Sequence, residues 1–136
     1  MIRRVVLDTN VLVSALLSTK GTEALALRLA LSSIFEVGVT TAILDEYRDV
    51  LERPRFNIPR TEIDALFSQL KTQAKRVHPT HTVKTSPDEA DNRFLECAET
   101  IDAEFLITGN KRHFPKMRKN TKIVNAREFL ELVVPL

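Results

Sequence analysis

Short apolar runs alternating with amphipathic segments predict an α/β fold, a three-layer α/β/α sandwich around a central, mainly parallel β-sheet. Three observations carry this expectation. Val5–Leu7, Phe35–Val39, Phe105–Ile107 and Ile123–Val124 are strand-length runs rich in apolar residues. The segments between them place apolar residues at helical spacing. A chain of 136 residues with a hydrophobic fraction of 43% and a charged fraction of 28% suits one soluble folded domain, taken as residues 1–136.

In chain order, Val5–Leu7 reads as a buried strand ending at Asp8, and Val11–Leu17 as a brief helix. Thr22 can cap a helix through about Ile34, whose apolar residues lie nearly all round, as for a helix packed on two sides. Phe35–Val39 is the second strand, and either Thr40 or Thr41 caps the helix from about Ala42 to Leu51, closed by Pro54. Thr61 and Glu62 open an amphipathic helix to about Lys75, with Ile63, Leu66, Phe67 and Leu70 on one face. Arg76–His78 is a minor strand, and 78–85 a polar loop whose His78 and His81 read as surface residues. Ser86-Pro87-Asp88-Glu89 predicts a helix start, with Ser86 as cap and Glu89 completing a capping box. Phe105–Ile107 follows as a strand with Thr108-Gly109-Asn110 as its exit, then Ile123–Val124 and a terminal helix over about Ala126–Val133. There is no internal repeat.

Composition narrows the function classes. Aromatics are 6% with no Trp, which argues against recognition of bases on an aromatic platform. The one cysteine, Cys97, reads as a buried small hydrophobe in a helix interior. No secretory pattern opens the chain and no apolar run approaches the ~18 residues of a membrane span, so the cytoplasm is the expected compartment. Net charge is only +2, but it is unevenly placed: seven acids from Asp88 to Glu104 against Arg93 alone, then six Lys or Arg, His113 and no acid from Lys111 to Lys122. An acidic spot beside a basic apron suits a metal site that also holds a polyanion; a merely solvated basic loop is the alternative.

The acids supply the candidate chemistry. Asp8 stands at the carboxyl end of a strand, where parallel sheets present a ligand crevice. Helical period sets Glu46 beside the core stripe of its helix and leaves Asp45 and Asp49 in solvent. Asp88 and Asp91 lie three apart in a first turn, where the helix dipole explains one acid and not both. Asn110, at another strand exit, has an oxygen for a hard cation and no charge. Converging carboxylates repel one another unless a cation offsets them.

Leu7-Asp8-Thr9-Asn10, Glu46 in Leu44-Asp45-Glu46-Tyr47, the run Asp88 to Ala98 and Leu106 to Lys111 occur in the order found in PIN-domain ribonucleases. The chain resembles the short, single-domain bacterial and archaeal members that act as toxins of toxin–antitoxin pairs, over essentially its whole length. This resemblance implies a PIN-like fold and Asp8, Glu46 and Asp91 as catalytic acids binding Mg²⁺ or Mn²⁺, with Asp88 as a weaker accessory. It implies Thr9, Asn10 and Thr108 as polar groups orienting carboxylates or water. The family usually has Asp where this chain has Asn110, which would weaken a second metal or slow turnover. Carboxylates suit a hard divalent ion able to activate water and clamp a phosphate, and Lys111, Arg112, Lys116, Arg118 and Lys119 would then track the RNA backbone. A small antitoxin partner and a homodimer are implied by the resemblance alone.

Two other classes stay open on the residues. Asp8 also resembles the nucleophile of haloacid-dehalogenase phosphatases, but Asn10 stands where that family needs a second Asp. A catalytically weak RNA- or protein-binding PIN module is the other, and Asn110 favours it.

Overall fold

In the computed structural model, which describes residues 2–134, the strands are β1 (Arg3–Leu7), β2 (Phe35–Val39), β3 (Lys75–Arg76), β4 (Phe105–Ile107), β5 (Met117–Arg118) and β6 (Thr121–Val124). The helices are α1 (Thr9–Leu17), α2 (Thr22–Ala30), α3 (Thr41–Leu51), α4 (Arg60–Gln73), α5 (Glu89–Ile101) and α6 (Ala126–Val133). The sheet order is β3-β2-β1-β4-β6-β5, parallel throughout except for the antiparallel β5–β6 pair. This is the three-layer α/β/α sandwich around a mainly parallel sheet that the alternation predicts.

Side-chain alternation along the strands separates the two covering layers. Phe35 and Phe105 meet Phe129 of α6 edge-on, at centroid distances of 5.3 and 5.6 Å. On the opposite face Gly38 lies so close to α5 that a Cβ there would stand 2.4 Å from Ile101 Cδ1. Tyr47 of α3 and Phe94 of α5 stack in the same layer, and both are fully buried. Because β1 has β2 on one side and β4 on the other, the chain reverses direction across the sheet at β1. Its carboxyl end, occupied by Asp8, is the topological switch point at which such sheets bind ligands.

Several boundaries differ from the sequence expectation, each for a local reason. Helix α2 follows Gly21 with Thr22 already inside it, and stops at Ala30 because the Ser32 hydroxyl donates to the Leu29 carbonyl at 2.6 Å. Of the two threonines, Thr40 caps α3, accepting from the Ile43 N–H at 3.0 Å. Helix α4 ends at Gln73, and β3 falls on Lys75–Arg76 rather than 76–78, although the Val77 N–H still pairs with the Val39 carbonyl. Ser86 does not cap α5. The buried Asn92 amide accepts from the Ser86 N–H (2.8 Å) and donates to its carbonyl (2.9 Å), holding Ser86 in a loop and leaving Asp88 as the cap. A true capping box forms instead at α6, between Asn125 and Glu128. The β5–β6 hairpin was not expected; its turn places Lys119 at φ 52°, without the glycine that usually marks such a turn. Cys97 is buried as expected, and His78 and His81 lie in the loop. Among the described residues no helix is long and apolar enough to cross a membrane.

Candidate active site

Four carboxylates drawn from three separate parts of the chain line one cleft of about 350 Å³ at the carboxyl edge of the sheet. Asp8 comes from the end of β1, Glu46 from α3, Asp88 from the cap of α5 and Asp91 from its first turn. Strand register puts Leu7 beside Ile107, so Asp8 and Thr108 leave the sheet side by side. The buried Thr108 hydroxyl donates to Asp8 Oδ2 at 2.7 Å and accepts from the Asn110 N–H at 3.0 Å. Tyr47, wholly buried, donates its hydroxyl to the Leu7 carbonyl and so ties α3 to the end of β1. Thr9 then reaches across, its hydroxyl 3.4 Å from Glu46 Oε2.

Burial and repulsion from neighbouring carboxylates make Asp8 and Asp91 hard to ionise. The Asp8 carboxyl is pushed above its ordinary range chiefly by burial, with Glu46 and Asp88 adding repulsion and the Thr108 bond opposing them. Asp91 is pushed up to about 6, first by burial, then by the charges of Asp8 and Asp88; His113 and Ser86 pull it back. Asp8 and Asp91 are each 6% exposed, at the floor of the cleft, while Asp88 is open to solvent. Among the described residues no three acids or histidines are drawn together into a ready ligand group, so the carboxylates ring the cleft rather than form a cage. The donors on offer are carboxylate oxygens, the set that fits a hard divalent cation.

The remaining candidates fall into place unevenly. Asn110 lines the cleft, but its contacts to protein run through its backbone, to Thr108 and His113. Asn10 turns its side-chain oxygen to the Gly109 N–H at 3.0 Å, bracing the exit of β4, and among the described residues it bonds to no carboxylate. Three of the five basic residues are engaged elsewhere. Lys111 pairs with Glu128 at 2.8 Å, while Arg118 and Lys119 both pair with Glu99, two turns down α5 and about 12 Å along its axis from Asp91. Arg112 and Lys116 have no acid within 4.0 Å among the described residues. The structure also brings in residues that sequence reasoning did not select. His113 Nδ1 lies 3.5 Å from Asp91 Oδ2, and Arg55 and Phe56 form part of the cleft wall. His113 was visible only as one member of a basic run, and nothing in the spacing around Pro54 points to a site.

No curated protein shows significant similarity to the chain. The family model described as PIN domain matches residues 4–112, a span holding all four cleft carboxylates and Asn110 and ending before Lys116. PIN domains are generally nucleases and typically use divalent metal ions. A match over most of the length, on a mainly parallel sheet with acids gathered at the carboxyl end of β1, means that the chain belongs to the PIN-domain family.

Proposed function

We propose that the protein is a Mg²⁺- or Mn²⁺-dependent ribonuclease that hydrolyses phosphodiester bonds of RNA, and that it acts as the toxin of a toxin–antitoxin pair in the cytoplasm. The supporting observation is the gathering of Asp8, Glu46, Asp88 and Asp91 around one cleft with Asp8 and Asp91 reluctant to ionise, an arrangement that favours a bound cation. Asp8, Glu46 and Asp91 would hold the ion, with Asp88 and Asn110 at the margin. When bound, such an ion activates water and offsets the charge of the phosphate undergoing in-line displacement. The chain's own residues orient the site: Thr108 aims one oxygen of Asp8, Thr9 restrains Glu46, and His113 and Ser86 steady Asp91. Asn110 adds no charge, which supports a second reading as an RNA-binding module that cuts slowly or not at all.

Cleavage of single-stranded RNA with Mg²⁺ or Mn²⁺ tests both readings. The wild type should cut, and Asp8→Asn and Asp91→Asn should each lower the rate by about a hundredfold or more. Undiminished cleavage by both variants would sink the assigned site, and RNA binding without cleavage would favour the second reading. The toxin role, with its antitoxin partner and a possible homodimer, rests on the resemblance to short prokaryotic PIN proteins. Induced expression should arrest growth with the wild type and not with Asp8→Asn.

A further inference from the structure

The cleft of four carboxylates has, among the described residues, one Lys or Arg in its wall, and that residue pairs with none of the acids around it. Arg55 lies on the short 3₁₀ turn Pro54–Phe56 between α3 and α4. Its basic neighbours are all paired: Arg53 with Asp49, Arg48 with Glu52, and Arg60 with Glu52 and Asp64. Arg55 has no carboxylate within 4.0 Å among the described residues, although Asp8, Glu46, Asp88 and Asp91 line the same cleft. Its guanidinium instead sits 4.8 Å from the centroid of the Phe56 ring.

The turn that presents Arg55 is well braced. Pro54 presets the first dihedral, Asn57 takes the left-handed conformation at φ 50°, and the Phe56 and Asn57 N–H groups bond back to the Arg53 and Pro54 carbonyls at 3.1 and 3.0 Å. Phe56 is half-buried against the core, which anchors the ring beneath the guanidinium. A guanidinium stacked on a ring keeps its N–H edge for other partners, and that planar fork matches a phosphate bidentately. A polyanion approaching four carboxylates is repelled unless cations meet it outside the floor as well as on it.

We infer that Arg55, seated on Phe56, forms a phosphate-binding subsite on the α3–α4 rim of the cleft, gripping an RNA backbone phosphate next to the one that is cut. The inference rests on the ribonuclease reading and deepens it. Arg55 is exposed at the rim whereas Asp8 and Asp91 lie at the floor, so its contact is with a flanking phosphate and acts on binding rather than on the bond that breaks. It also moves the expected backbone contact away from Lys111, Arg118 and Lys119, whose cationic groups already sit in ion pairs with Glu128 and Glu99.

The test compares Arg55→Ala, Arg55→Lys and, as a control, Arg28→Ala, an exposed arginine of α2 outside the cleft wall that has no acid within 4.0 Å among the described residues and donates to the Thr19 carbonyl. Binding of a short fluorescent single-stranded RNA is followed by anisotropy across a salt series, in an Asp8→Asn background with Mg²⁺ to suppress turnover. Steady-state cleavage is measured in the parent chain. Arg55→Ala should weaken RNA binding about tenfold and flatten the slope of log K against log salt by about 0.7, the release expected of one single-strand phosphate contact. Its KM should rise with kcat within about twofold, while Arg55→Lys keeps the salt slope and Arg28→Ala leaves slope and KM unchanged. A wild type that binds and cuts RNA beside an Arg55→Ala of equal affinity, slope and KM would overturn the subsite alone. A wild type that neither binds nor cuts RNA would remove the ribonuclease reading on which the subsite rests.

Discussion

At the floor of the cleft, Asp91 ionises only against burial and against the charges of Asp8 and Asp88, which together raise its pKa to about 6 from the ordinary 3.8. The folded protein therefore holds a proton on Asp91 between about pH 4 and pH 6 that the unfolded chain has released, so stability falls as pH rises through that window. By pH 7 the accumulated penalty is of the order of 3 kcal/mol, one pKa unit being about 1.36 kcal/mol. Asp91→Asn keeps the shape and loses the charge. Without added metal it should melt above the wild type at pH 7, and the gap should close by about pH 4; a melting curve at each pH decides it, and an unchanged gap would reject the electrostatic account. Asp8, Glu46 and Asp91 were legible in the sequence because strand ends and helical period say where a side chain points. Arg55 and His113 were not, since their places in the cleft wall depend on how the turn at Pro54 and the loop after Asn110 fold back over the sheet edge.

Helix α5 carries two of the four acids, and its start is set by a buried amide rather than by the residue that looks like a cap. Ser86-Pro87-Asp88-Glu89 has the letters of a capping box, yet Asn92, fully buried, claims both backbone groups of Ser86 and shifts the helix start to Glu89. A local motif was outcompeted by a side chain one turn further on, a contest that spacing alone does not reveal. The same failure of local signals hides the β5–β6 hairpin, whose turn is Lys119-Asn120 rather than a glycine pair. Asn92→Ala should then cost about 2–3 kcal/mol, because it strands a buried N–H and a buried carbonyl together. The midpoint of urea unfolding reads that loss. Since the 86–88 segment would no longer hold the Ser86 hydroxyl against Asp91 or keep Asp88 in place as the cap, metal-dependent cleavage should fall further than stability does at a temperature where the variant remains folded. A variant that unfolds earlier yet cuts at the wild-type rate when folded would separate the brace from the site.

On the scale of the whole molecule, the fold class was legible because burial on both faces of a parallel sheet leaves its mark on every strand. The same topology gathers distant acids at one edge, so the native state concentrates negative charge that the unfolded chain spreads out. A divalent ion that binds there stabilises the folded form by linkage, by about 2.7 kcal/mol at a concentration a hundredfold above its Kd. Mn²⁺ or Mg²⁺ should therefore raise the melting temperature of the wild type, a chelator should reverse the rise, and Asp8→Asn should show little of it. The effect must also depend on pH, since the proton on Asp91 competes with the ion. With that carboxyl titrating near 6, apparent affinity at pH 5 should be about tenfold weaker than at pH 7, and the thermal shift correspondingly smaller at fixed metal. An equal metal-induced shift in the wild type and in Asp8→Asn would place the ion elsewhere on the molecule, and a shift independent of pH would deny Asp91 a part in holding it.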